Sequence, residues 1–369
     1  MDKNFQEKNF LESIQTLNNL LSEAVEKNIF PGCTYSLECS SGSHVDVLGK
    51  KSLYPIEENE IDTLYDMASC SKVISTTTCI IKLMEQGKLR LYDSVKKYLP
   101  RFKHDNILIW DLITHTSGLP AGVSGVTKIK SREEALDKIY ALQTTYEKNT
   151  KIVYSDIGFI LLGFIVEEIS GMSLDQYAKE NIFDPLEMYS TGYNPALKDK
   201  ENIKRCAPTE ERNDDIVKGI VRGYVHDEMA YILGGVAGHA GLFSCAKDIS
   251  HFIRMILDNG VYNGKRILSK ASINLLFTPQ VVEPKGIALT LNTRGIGWIV
   301  QGDYCSAGDL ASKETILHTG FTGTNIFIDR INKVGFSLLS NRVHPTRSNV
   351  LLIPYRGMIG NFIIANFGE

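Results

Sequence analysis

No stretch of this chain approaches the ~18 consecutive apolar residues that a helical membrane span requires, and even Phe159 to Val166 reads as a short buried segment. The opening residues, Met1 to Lys8, are charged and lack the apolar core of a secretory signal. A soluble, cytoplasmic protein without a membrane partner is the expectation. Seven cysteines (Cys33, Cys39, Cys70, Cys79, Cys206, Cys245 and Cys305) are odd in number and scattered, with neither a Cys-x-x-Cys pair nor Cys/His clustering. That pattern argues against a zinc site and for free thiols in a reducing compartment. Positive charge is not in surplus either: 40 Lys and Arg face 43 Asp and Glu, a formal net charge of −3. Nucleic acid is therefore not an expected partner. Internal repeats, low-complexity tracts and Pro-rich linkers are missing as well.

What is present is an ordinary globular composition, 43% hydrophobic, in 369 residues. That length exceeds the size at which single cores stop growing, so two packed lobes are expected. Phe10 to Lys27 carries a helical pattern (Leu11, Ile14, Leu17, Leu20, Leu21, Ala24, Val25) closed at Pro31-Gly32. Cys33 to Cys39 and Val45 to Val47 alternate like the two strands of a hairpin. Late in the chain, Gly295 to Val300, Thr315 to Thr319, Asn325 to Asp329 and Val334 to Ser340 read as antiparallel strands, and Met358 to Phe367 as a last helix. Between Val73 and about Ala237 the pattern is helices and long loops. The fold class predicted is α/β (α+β), with an α/β lobe from residues 1–66 and 240–369 and an inserted, mostly helical lobe from residues 67–239. The long polar loop Pro208 to Asp227 is a candidate substrate-facing wall.

Ser-x-x-Lys occurs three times, at Ser69/Lys72, Ser94/Lys97 and Ser244/Lys247. On a helix this spacing puts a hydroxyl and an amine on one face. The amine can help remove the hydroxyl proton, and a helix start offers free backbone N–H groups for a developing oxyanion. Ser94 lies in a charged stretch that reads as solvated surface. Ser244 precedes Ile249 and Phe252, where a Ser or Asp most simply caps a helix. Ser69 alone is followed by a buried-helix pattern, Val73, Ile74, Thr77, Ile80, Ile81 and Met84, with a stop at Gly87. It is the candidate nucleophile, with Lys72 as its partner.

Two further segments complete an ordered set. Tyr154-Ser155-Asp156 precedes the apolar run Ile157 to Ile165, and His318-Thr319-Gly320 ends a strand-like run. With these three motifs in this order, the chain resembles the serine β-lactamases and penicillin-binding proteins, most closely the branch that holds class C β-lactamases, DD-peptidases, D-amino-acid-specific peptidases and serine esterases. The resemblance covers nearly the whole chain, including Asp111 to Pro120, Tyr154 to Gly163 and Gly234 to Ser244. It implies an antiparallel sheet flanked by the terminal helices, with the active site in the groove between lobes. No cofactor and no metal are implied, and a monomer is expected.

The resemblance implies roles residue by residue. Ser69 attacks the acyl carbon, Lys72 assists, and Tyr154 is the family's phenol, able to act as base only where a cation such as Lys72 stabilises the phenolate. The backbone N–H groups of Ser69 and Phe321 form the oxyanion hole, and Thr319 and Gly320 line the substrate groove. His318 stands where other members carry Lys. As an imidazole partly charged near neutral pH, it is expected to hold a substrate carboxylate weakly and pH-dependently. Asp156 replaces the usual Asn and can only accept hydrogen bonds while ionised. It is expected to pair with Lys72 or to receive an N–H or ammonium group from the substrate. His115 and His239 read as structural. His226-Asp227-Glu228 reads either as groove lining or as a helix cap. The implied function is a serine hydrolase working through an acyl-enzyme on β-lactams, D-amino-acid peptides or small esters. The alternative is a penicillin-binding sensor that is acylated without efficient turnover.

Overall fold

Ile14, Leu17, Leu21 and Ala24 recur at helical spacing and are all buried along α1 (Lys3–Glu26). This computed structural model describes residues 3–285, 290–300 and 306–369. The main sheet has nine strands, numbered here in chain order: β1 (Gly32–Cys39), β2 (Gly42–Leu53), β3 (Ile56–Glu58), β4 (Val281–Lys285), β5 (Thr290–Arg294), β6 (Ile299–Val300), β7 (Thr315–Thr319), β8 (Asn325–Asp329) and β9 (Val334–Ser340). Their spatial order is β4-β5-β6-β7-β8-β9-β1-β2-β3, antiparallel throughout. The chain thus closes β9, near its end, onto β1, near its start.

Both faces of the sheet are covered, which is why its central strands are buried along their whole length. Tyr35, Leu37, Phe336 and Leu338 share one core with α1 and with the last helix, α6 (Leu352–Phe367). Ile316, Ile326, Ile328 and Leu339 join the other, larger core with the helices on the opposite face. Those helices include α2 (Thr78–Glu85), α3 (Asp156–Ser170), α4 (Glu228–Ile232) and α5 (Ala246–Leu257). Ser155 caps α3 by accepting from the Gly158 N–H, and Gly171, at φ +70°, ends it. Among the described residues no single helix is long and apolar enough to cross a membrane.

Three local expectations are corrected. Ser244 does not cap a helix. It lies buried on the short strand Leu242–Ser244, its hydroxyl 2.7 Å from Thr191 Oγ1, while Cys245 holds the N-cap position of α5 without a side-chain bond. Gly295 to Val300 is not one strand. Gly297, at φ +76°, makes a turn there, closed by a Gly295 N–H to Trp298 carbonyl bond, and only Ile299–Val300 is extended. The last helix begins six residues earlier than Met358, because Pro354 falls in its first turn, where no intrahelical N–H is needed. Cys33, Cys39, Cys70, Cys79, Cys206 and Cys245 are free and buried. Cys305 lies outside the described residues.

Candidate active site

The segment that carries Ser69 is not a plain helix start. A 3-10 turn, Ala68–Cys70, leads into a π-type stretch, Lys72–Thr77, before α2 begins. Such widened turns recur at functional sites. Ala68 sits at φ +45°, a left-handed conformation that costs a non-glycine residue free energy and must be held by its surroundings. Asp66 does the holding. One of its carboxylate oxygens accepts the Ala68 N–H at 2.8 Å and the other accepts the His226 N–H at 2.7 Å. The end of β7 clamps the same turn from the other side. The Thr322 hydroxyl donates to the Asp66 carbonyl at 2.7 Å and the Thr324 hydroxyl to the Met67 carbonyl at 3.0 Å. Gly320 makes this approach possible, since a Cβ there would stand 2.6 Å from the Met67 carbonyl oxygen. Arg356, on α6, donates to the Gly320 and Thr324 carbonyls at 3.1 and 3.0 Å, tying the clamp to the sheet lobe.

Lys72 is fully buried and its three N–H donors meet three acceptors: Ser69 Oγ at 3.0 Å, the His239 carbonyl at 3.0 Å and Asp156 Oδ1 at 2.8 Å. Burial disfavours its charge, but the Asp156 carboxylate and Tyr154 outweigh that cost, and the ammonium titrates above its ordinary range. The free site therefore holds Lys72 as a donor to Ser69, with no lone pair to offer as base. Tyr154 stands over the same group, its ring centroid 4.8 Å from Lys72 Nζ. Burial pushes its phenol up, and the opposing effects of Lys72 and Ser69 do not compensate. At neutral pH the phenol keeps its proton.

His115 supports Tyr154 from behind, with ring centroids 4.7 Å apart, and its Nδ1 accepts the Ser155 N–H at 3.0 Å. That agrees with a structural role. His318 is a correction. It is buried beside Tyr154, and burial together with the Lys72 and Arg294 charges lowers it to about 3. It is neutral near pH 7, so it brings no charge to a substrate carboxylate. A cation that the sequence reading missed does stand beside it: Arg294, at the end of β5. Its guanidinium carbon lies 5.7 Å from the Tyr154 ring centroid, it is 8% exposed, and its Nε and Nη1 have no hydrogen-bond partner among the described residues. A buried, unsatisfied guanidinium is costly unless a ligand completes it. Thr319, half-buried, keeps its hydroxyl unengaged among the described residues.

A cavity of 250 Å³ opens over Ser69 and is lined by Tyr154, Asp156, His226, Asp227, His239 and Phe321, among others. Neither the Ser69 nor the Phe321 backbone N–H has a hydrogen-bond partner among the described residues, which leaves both for an incoming oxygen. The loop before α4 does form a wall of this cavity, through His226 and Asp227 at its end. Both readings of Asp227 hold together. Its Oδ1 accepts the Ala230 N–H at 2.8 Å as the cap of α4 and pairs with His239 Nε2 at 2.7 Å. The structure brings Ser69, Lys72, Tyr154, Asp156, His318 and Phe321 together. It leaves the other two serines out: Ser94 caps a short 3-10 turn by accepting from the Lys96 N–H, and Ser244 is the buried residue described above.

The His318 result carries a stability prediction. Its folded pKa lies near 3, against about 6.5 for an unfolded histidine. Between those values the unfolded chain binds a proton that the folded one refuses, so stability rises with pH and falls on acidification. His318→Gln should flatten the pH dependence of urea-unfolding stability between pH 6 and 4 by about 1.4 kcal/mol per pH unit. Equal slopes in the two proteins would show that the imidazole is not buried neutral.

The antiparallel sheet and the helices packed on it have the β-lactamase and transpeptidase fold, with Ser69, Lys72 and Tyr154 clustered together. The chain belongs to the β-lactamase family: the family model described as Beta-lactamase matches residues 45–357. It is 34% identical over 336 residues to a "Putative D-alanyl-D-alanine carboxypeptidase" of Escherichia coli (strain K12), covering 83% of this chain and 75% of that protein. It is 33% identical over 311 residues to an "N-acetylmuramyl-L-alanine amidase" of Bacillus subtilis (strain 168), covering 76% of this chain and 68% of the relative. A solved structure of "A class C beta-lactamase" matches its fold with a TM-score of 0.75 at 19% identity, covering 97% of each chain.

Proposed function

We propose that this chain is a serine hydrolase that cleaves peptides ending in a D-amino acid with a free carboxylate, through an acyl-enzyme on Ser69. The observation that carries the reading is Arg294, a buried guanidinium beside Tyr154 and His318 whose Nε and Nη1 have no hydrogen-bond partner among the described residues. With Thr319 it supplies the donors a terminal carboxylate needs. The printed names of the two relatives, a carboxypeptidase and an amidase, both describe amide cleavage and support the same reading.

The step follows from the protonation states. Lys72 donates to Ser69 Oγ, so the hydroxyl proton leaves toward Tyr154. As Oγ bonds to the acyl carbon, Tyr154 takes that proton and passes its own phenolic proton to the departing nitrogen, so no free phenolate has to form. The carbonyl oxygen, now negative, is received by the Ser69 and Phe321 N–H groups. Collapse breaks the C–N bond and releases the C-terminal D-amino acid, and water then attacks the ester by the reverse relay. In this reading β-lactam turnover is slow, because Asp156 offers no donor to the side-chain amide carbonyl of a penicillin.

The test compares Nα,Nε-diacetyl-L-Lys-D-Ala-D-Ala with a neutral p-nitrophenyl ester. Release of D-Ala is expected, and Arg294→Gln should lower kcat/KM for the peptide at least about tenfold, the worth of a lost charge-assisted hydrogen bond, while sparing the ester. Ester turnover without peptide cleavage would make the protein an esterase. A stable fluorescent-penicillin adduct with neither activity would favour the sensor.

A further inference from the structure

The cavity over Ser69 has an acidic wall, while Arg294 lies on the Tyr154 ring. Asp156 gives Oδ1 to Lys72, and its second oxygen has no hydrogen-bond partner among the described residues. Asp227 gives Oδ1 to both the Ala230 N–H and His239, and its second oxygen is likewise unengaged. Both side chains are about a third exposed, 35% and 32%, and both line the cavity. His239 adds an independent, unpartnered polar atom. It is 1% exposed, it lines the same cavity, and its Nδ1 has no partner among the described residues.

The cations near these acceptors are already committed. All three donors of Lys72 are used, as above, and Arg347 donates to Glu210 at 2.6 Å and to Glu228 at 2.9 Å. The carboxylates also stand close to the reacting centre. Asp156 touches the Lys72 ammonium that touches Ser69 Oγ, and Asp227 is held ionised by His239 and, further off, by Lys72, which together outweigh its burial. An occupant that satisfies this wall has several N–H donors and a positive charge a few ångströms from the attacked carbonyl.

We infer that the acyl half of the substrate carries a free α-ammonium group, received by Asp156 and Asp227. Resting on the carboxypeptidase reading above, this makes the preferred substrate a short D-peptide with a charged amine on one side of the scissile bond and a carboxylate on the other. A free D-dipeptide of the H-D-Ala-D-Ala type carries both charges. The covalent step is unchanged, with Ser69 Oγ bonding to the D-alanyl carbonyl and the second D-alanine leaving with the proton relayed by Tyr154.

The experiment measures D-Ala release from H-D-Ala-D-Ala and from N-acetyl-D-Ala-D-Ala by the whole protein. At pH 7 the free amine is expected to have the higher kcat/KM by about tenfold or more, the worth of one charge-assisted contact. That preference should fade as pH passes about 8, where an α-amine loses its proton. Asp227→Asn, which keeps a good helix cap, should cut the preference severalfold. Asp156→Asn should lower both rates and the free-amine rate more. Equal cleavage of the two peptides, or a preference for the acetylated one, overturns the inference and leaves the carboxypeptidase reading standing. A preference that Asp227→Asn leaves intact also overturns it. Cleavage of neither peptide also overturns it, and overturns the carboxypeptidase reading too when the diacetylated tripeptide stays intact.

Discussion

Ser69→Ala is expected to abolish hydrolysis, with kcat falling on the order of 10⁶-fold, the scale of loss when a serine nucleophile is removed. The fold should not change, because the contacts of the Ser69 hydroxyl are with the side chains of Lys72 and Tyr154. The left-handed Ala68, the Asp66 bonds and the Thr322 and Thr324 clamp that shape the turn all act on backbone atoms. Ser94→Ala and Ser244→Ala serve as controls. The first removes the cap of a short turn and the second a buried bond to Thr191, so each should cost some stability and leave activity per folded molecule intact. Full activity in Ser69→Ala would end the assignment.

Lys72→Ala and Tyr154→Phe should each lower the acylation rate at least ~100-fold, the lower bound for losing a positioned proton-transfer group. Lys72 orients Ser69 Oγ while bridging it to Asp156 and the His239 carbonyl, so its removal also leaves buried acceptors unpaired. Tyr154→Phe is the gentler change, because the ring keeps its packing against His115 and loses only the oxygen. If the two side chains serve one proton relay, the double variant should be little slower than the worse single one. Single-turnover acylation by a chromogenic β-lactam measures this. Multiplying effects would mean that they act separately, and a wild-type rate in Tyr154→Phe would make the phenol a packing residue.

The elements legible in the sequence were those whose residues report their own surroundings. β7, β8 and β9 fall where their β-branched and apolar runs put them, and the apolar pattern after Ser69 marks the buried helix that follows it. The failures share a cause, which is dependence on distant parts of the chain. Ser244 looks like a cap from its neighbours alone, but β-pairing of its segment with Tyr65–Asp66 makes it a buried strand residue. His318 looks like a titrating imidazole until Lys72 and Arg294, both far away in sequence, are brought beside it. Arg294 was hidden because the glycines after it were taken into a strand. They form the turn that ends β5, and nothing local marks the arginine that precedes it. Asp66 and the Asp227–His239 pair were similarly mute, since their partners lie 2, 160 and 12 residues away. A local cue did exist for Asp227, whose cap position before α4 was readable.

The most direct test of the central claim is peptide mapping by mass spectrometry after a brief reaction with a β-lactam, quenched in acid. The expected result is a single adduct, equal in mass to the intact drug, on the peptide that contains Ser69, and none in Ser69→Ala. An adduct on Ser94, Ser244 or any other residue, or undiminished hydrolysis with no adduct at Ser69 at any quench time, would contradict the account.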